Sequence, residues 1–158
     1  MEIPTEVPIY FEDLAIGDSF VSEEVTVDNE EMLAYNRRND PWPFHVDEVS
    51  ASQNPYGSLI ASGGYTITLM YRLGHKIYNT PGRRWAVLGA LDWHLKFAAP
   101  VRSGDRVQLR ITIKSKRQSS RPERGHFDLL YELLNQKEKS SVVLSVLMAG
   151  LIARRPPL

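Results

Sequence analysis

The chain has 158 residues, 42% of them hydrophobic, with 19 lysines plus arginines against 19 aspartates plus glutamates and no cysteine. A chain of this length buries about 70% of the surface its unfolded form exposes, so one domain spanning residues 1–158 accounts for it. The balanced charge excludes the electrostatic signature of a nucleic-acid or anionic-membrane binder, and the missing cysteine excludes disulfides, thiolate catalysis and Cys-ligated zinc.

The opening run Met1-Glu2-Ile3-Pro4 is acidic and proline-broken where a signal peptide is basic and then apolar, which with the absent cysteine points to a cytoplasmic protein. Residues 1–8 read as a flexible tail. After the turn signal Gly17-Asp18, the β-branched residues Val21, Val25, Thr26 and Val27 predict a strand over Ser19 to Val27. Thr26 or Asp28 then caps a helix carrying Glu30, Glu31, Met32, Leu33 and Tyr35, its acids in the first turn where the dipole favours them. Pro41 ends this helix, because the residue before a proline is driven out of helical geometry. Val46 to Ser52 makes one further helical turn, closed by Asn54-Pro55 and Gly57. Ser62 to Tyr78 forms the central helix. Its apolar residues, from Tyr65 and Ile67 through Leu73 to Ile77, lie almost all round it, which predicts burial on most sides. Asn79-Thr80-Pro81-Gly82 stops it.

The remainder reads as strands. Between Arg106 and Lys114 the apolar residues fall on every odd position, the two-residue period of a strand with one wet face, and Phe127, Leu129, Tyr131 and Leu133 repeat it. Trp85 to Ala98 is a third strand. Ser141 to Arg154 is a fourth, apolar on both faces and so interior to its sheet; its apolar run is too short for a bilayer, which takes about 20 residues. Turns fall at Ser103-Gly104-Asp105, Pro122 to Gly125 and Asn135 to Lys139. A helix of about 16 residues reaches roughly 24 Å. Strands of about ten to thirteen residues reach roughly 33 to 43 Å, so the sheet outruns the helix and its natural twist curls it round. The fold class is α+β, a curved antiparallel sheet wrapped around one long central helix.

Two proline-stiffened turns in Asp40-Pro41-Trp42-Pro43-Phe44-His45 hold an acid and an imidazole five positions apart. A carboxylate and an imidazole within reach of one water can share its activation, and histidine titrates near working pH. Asn39-Asp40-Pro41 is also ordinary turn chemistry, and that simpler reading stands beside the catalytic one. Gly63 opens the central helix, where a free backbone N–H and the helix dipole can polarise a carbonyl oxygen; Gly63-Gly64 equally permits close packing. Ser62 lacks the first glycine of a nucleophile elbow. His45 and Asp47 have no third metal ligand at useful spacing, and no metal is expected. His75, His94 and His126 carry no constellation. Arg83, Arg84 and the Lys114 to Arg121 cations suit phosphates or plain solvation.

Taken together, Tyr10 to Leu14 with Gly17-Asp18, Asp40 to Asp47, Leu59 to Gly63, Pro100 to Asp105 and Ser119 to Pro122 resemble the MaoC-like dehydratases, which include (R)-specific enoyl-CoA hydratases of the hot-dog fold. The Asp-x4-His segment followed by a glycine-led helix is the specific part. The resemblance implies that Asp40 and His45 form an acid/base dyad and that the Gly63 N–H is the oxyanion donor to a thioester carbonyl. Trp42, Phe44, Ser62 and Tyr65 are expected to meet the substrate. It further implies reversible hydration of a trans-2-enoyl-CoA, no organic cofactor or metal, and a homodimer with helices back to back or a larger assembly of dimers. Two positions depart from the family pattern. Trp42 stands where hydratases commonly carry asparagine, and Ser62 where many carry histidine. Two alternatives therefore accompany the hydratase reading: a non-catalytic acyl-binding or structural hot-dog subunit, and a thioesterase of the same fold.

Overall fold

In the computed structural model, which describes residues 6–138 and 140–158, the chain runs through β1 (Ser19–Val21), β2 (Val25–Thr26), α1 (Asn29–Asn39), α2 (Pro43–Val46) and α3 (Glu48–Ser52) to α4 (Gly63–Tyr78). A small hairpin of β3 (Asn79–Thr80) and β4 (Arg83–Arg84) follows, then β5 (Val87–Phe97), β6 (Arg106–Gln118), β7 (Arg124–Asn135) and β8 (Ser141–Ala153). The main sheet is antiparallel in the order β1-β6-β7-β8-β5, with β2 also on β6. β8 is interior, as its apolar composition predicts. Register shifts between Val87 and Gly89, Ala90 and Asp92, and Ile113 and Ser115 are the irregularities through which an antiparallel sheet bends.

The core lies between this sheet and α4. Tyr65, Leu69, Met70 and Leu73 of the helix are buried with Leu109, Ile111 and Ile113 of β6, and with Phe127 and Leu129 of β7. The architecture is the α+β hot-dog arrangement.

The structure alters several local expectations. The first strand is broken at Ser22, whose Oγ accepts from the Leu109 N–H at 3.0 Å and so takes over a ladder bond. Asp28, not Thr26, caps α1, accepting from the Glu31 N–H at 2.8 Å. The single turn expected over Val46 to Ser52 is two short helices meeting at Asp47, which ends α2 and caps α3. Part of the supposed tail is fastened: the Val7 N–H donates to Gly82 O at 2.9 Å, and Glu6 pairs with Arg84. Residues 1–5, and Lys139 at the end of the last turn, lie outside the described residues.

The largest difference concerns α4, which is buried along one stripe rather than on most sides. Tyr65, Thr66, Leu69, Met70, Leu73 and Gly74 face the core, and Tyr71, Arg72, His75 and Lys76 are exposed. The cause is polar cover from other elements. Arg72 reaches Glu31 of α1 and Lys76 reaches Glu23, each at 2.6 Å, which holds that face toward water.

Candidate active site

Asp40 is the C-cap of α1, its N–H donating to Asn36 O at 2.9 Å. Pro41 forbids another helical turn, and Pro43 restarts one as the first residue of α2, where its missing N–H costs nothing and its fixed φ suits a helix. The His45 N–H donates to Trp42 O at 2.8 Å, which turns the imidazole back under the acid. Asp40 Oδ2 and His45 Nε2 are 3.6 Å apart, the imidazole buried and the carboxylate side chain 40% exposed.

The second ring nitrogen fixes the tautomer. His45 Nδ1 lies 2.9 Å from the Ile60 carbonyl, and a carbonyl only accepts, so Nδ1 carries hydrogen. In the neutral ring Nε2 then keeps its lone pair toward Asp40. Two acceptors facing each other leave room for a donor between them, such as a water proton.

Ser62 caps α4, its Oγ accepting from the Tyr65 N–H at 3.2 Å. The Gly63 and Gly64 amides have no acceptor among the described residues, as expected at the first helical positions, and they point into the positive end of the dipole. A Cβ on Gly63 would lie 2.7 Å from Phe97 Cζ, so the last residue of β5 closes over the start of the helix.

These groups meet in one cleft of about 480 Å³, whose walls include Asp40, Phe44, His45, Tyr56, Gly63 and Phe97. Of the seven site residues singled out in the sequence, Asp40, Phe44, His45 and Gly63 line it. Trp42, Ser62 and Tyr65 do not. Trp42 is 61% exposed and lies parallel to Phe44 with ring centroids 6.5 Å apart, so its ring leaves the cleft open. Ser62 is buried in its cap. Tyr65 faces the core stripe of α4 and donates its hydroxyl to Glu31 Oε1 at 2.9 Å. Asp47 is spent on the Ser50 N–H and hydroxyl, and no cluster of three or more metal-ligating side chains occurs among the described residues.

Three residues were not singled out from the sequence. Asn36 shares the buried face of α1 with Met32 at i, i+4 spacing, so a polar side chain in register with an apolar one was the available signal. Tyr56 is held by Arg102, which donates to Tyr56 O at 2.8 Å and to Ser58 Oγ at 2.9 Å. Phe97 arrives from the far edge of the sheet and carries no local signal. A second cavity of about 400 Å³, among Tyr71, Tyr78, Trp85 and Tyr131, flanks the C-terminal half of α4. Burial pushes the Tyr78 and Tyr131 hydroxyls above the usual phenol range.

The model of the MaoC like domain matches residues 13–130, a span that contains the Asp40–His45 pair, the glycine-led helix, β5, β6 and the first part of β7. The 3-hydroxyacyl-thioester dehydratase Z of Mycobacterium tuberculosis is 36% identical over 88 residues, 55% of this chain and 58% of that protein. The 3-hydroxybutyryl-CoA dehydratase of Methylorubrum extorquens is 29% identical over 105 residues, 66% of this chain and 64% of the relative. The matches thus span less than two thirds of the length of these curated relatives. The crystal structure of a MaoC-like dehydratase from Rhodospirillum rubrum superimposes with a TM-score of 0.83 at 29% identity, covering 94% of this chain and 99% of that one. With the matched span enclosing every residue of the Asp40–His45–Gly63 arrangement, this chain belongs to the MaoC-like domain family.

Proposed function

We propose that the chain is an acyl-thioester hydratase/dehydratase that adds water reversibly across the double bond of a trans-2-enoyl-CoA. The observation that carries this reading is the placement of the Asp40–His45 pair and the Gly63 amide on the walls of a single cleft. The names of the two relatives, a thioester dehydratase and a CoA-ester dehydratase, support the same class of chemistry.

The thioester oxygen accepts from the Gly63 N–H, and withdrawal of charge onto that oxygen makes C3 electrophilic. A water held between Asp40 and His45 Nε2 gives one proton to the dyad as its oxygen bonds to C3. The dyad returns a proton to C2 as the enolate collapses. Atoms and charge balance, and dehydration is the same path reversed. The steps require neither an organic cofactor nor a metal. On the same proposal the chain acts as a homodimer in the cytoplasm.

Incubation with a panel of trans-2-enoyl-CoA esters, following loss of the conjugated thioester, tests the reading. Asp40→Asn and His45→Ala are each expected to lower turnover by about 10²- to 10⁴-fold, the range of a general acid–base contribution. If Asp40→Asn hydrates every ester as fast as the unmodified protein, the dyad is misassigned. Release of free CoA without hydration points to a thioesterase instead.

A further inference from the structure

Only Met32 and Asn36 are buried on α1, and Asn36 has no exposed surface at all. Its Nδ2 donates to the His45 carbonyl at 3.0 Å and to the Ile60 carbonyl at 3.3 Å, while its Oδ1 accepts from the Ser62 N–H at 3.2 Å. Its own backbone carbonyl accepts from the Asp40 N–H at 2.9 Å. One residue is therefore bonded to the backbone of both dyad members, to the carbonyl that fixes the His45 tautomer, and to the N-cap that directly precedes Gly63. Asp40 and His45 lie four and nine residues beyond Asn36, but the Ile60–Ser62 segment is 24 to 26 residues away and has no covalent reason to keep a fixed spacing from them.

We propose that Asn36 is a positioning residue, setting the separation between the Asp40–His45 pair and the Gly63 amide so that one thioester meets both. Its consequence for turnover rests on the hydratase reading; the geometric part does not. A leucine at this position has nearly the same size but takes away the partners of the His45 carbonyl and the Ser62 N–H and leaves the Ile60 carbonyl to His45 Nδ1 alone. Those groups shift to find others, and the His45 loop and the start of α4 move independently. A misplacement of about 1 Å in such a site costs on the order of 10²-fold in rate. Remote binding of the substrate is untouched, so the loss falls on kcat rather than KM.

The test compares Asn36→Leu with the unmodified protein by steady-state kinetics, by thermal unfolding and by ¹⁵N NMR of the His45 ring. The expected result is a folded variant with kcat lower by about 10²-fold and KM within about threefold. Its imidazole signals should show a mixture of tautomers in place of the single Nδ1–H form. A folded variant with native kcat overturns the proposal. So does a kcat loss equal to the unfolded fraction with a native imidazole pattern, which is what a purely structural residue would give. If Asn36→Leu does not fold, hydrogen exchange of the Asn36 side-chain amide in the unmodified protein decides. Strong protection of both hydrogens is expected, and exchange as fast as a surface asparagine overturns the assignment. If the unmodified protein hydrates no enoyl thioester, the hydratase reading fails, and the imidazole and exchange signatures still decide the positioning role.

Discussion

Glu31 is where the helices of this protein are tied together through a titrating group. Arg72 holds its carboxyl below the usual 4.5 by a hydrogen bond, opposed by partial desolvation and aided by the Tyr65 hydroxyl. A carboxyl depressed by folding contributes stability above its unfolded value, lost as pH falls through its folded value. The pair is roughly 40% exposed on both sides, so its contribution is that of a screened surface ion pair, about 1 kcal/mol or less. Glu31→Gln should therefore lower the thermal midpoint at neutral pH, with the gap to the unmodified protein closing as pH falls below 4.5. A gap constant with pH would show that the charge on Glu31 contributes nothing. Gly63 offers a different test. The Phe97 ring is 51% exposed and contacts the glycine through its tip, so Gly63→Ala displaces the ring at little cost in stability but narrows the cleft. Expected is a near-native midpoint with raised KM, relieved in the double variant with Phe97→Leu; persistence of the defect there would place its cause elsewhere. At this scale the sequence disclosed three of the residues that meet in the cleft, since Asp40, His45 and Gly63 sit in stiff local turns and at a helix start. It misplaced Ser62 and Tyr65, whose directions follow from the phase of α4 about its axis, and it was silent on Phe97, which reaches the site only through sheet pairing.

The elements were legible where periodicity is strong. The alternation from Val107 to Ile113 and from Phe127 to Leu133 is one buried face of β6 and β7, and Ser62 to Tyr78 is α4 with its cap. What composition alone could not tell is that Arg72 and Lys76 find acids on neighbouring segments, which turned a helix apolar all round into one with a wet face. The buried stripe gives the sharper stability test. Leu69 and Leu73 are 1% and 0% exposed, and either change to alanine should cost about 2–5 kcal/mol in denaturant unfolding, whereas Tyr71→Ala on the open face should cost much less. Equal losses at Leu73 and Tyr71 would contradict a one-sided helix. Gly125 in β7 is a close-approach position: an added Cβ would lie 2.4 Å from Phe11 Cδ2, and the Phe11 ring is itself buried. Gly125→Ala is accordingly expected to destabilise by about 1–3 kcal/mol, more than Gly63→Ala, because the Phe11 ring has no solvent to swing into.

Across the whole molecule the unbalanced feature is β5. It is an edge strand, paired among the described residues only with β8, and it exposes Val87, Leu88, Leu91 and Phe97. An edge of unpaired backbone groups bearing apolar side chains is a template for another strand, and nothing among the described residues covers it. The net charge of zero removes the self-repulsion that would oppose a second copy. Phe97 belongs both to this edge and to the cleft wall beside Gly63, so pairing through β5 would also shelter the side of the site that faces solvent. Helix-face contacts through the exposed stripe of α4 are disfavoured by comparison, since that stripe carries Arg72 and Lys76 already paired within the chain. Sedimentation at micromolar concentration is expected to give a dimer, and Leu91→Lys, which places a charge on the apolar edge, to shift it toward monomer, with a parallel loss of the proposed hydration activity. Arg72→Ala should leave the dimer intact. A stable monomer for the unmodified protein, or a dimer indifferent to Leu91→Lys, would remove β5 as the interface and leave the cleft to be completed within one chain.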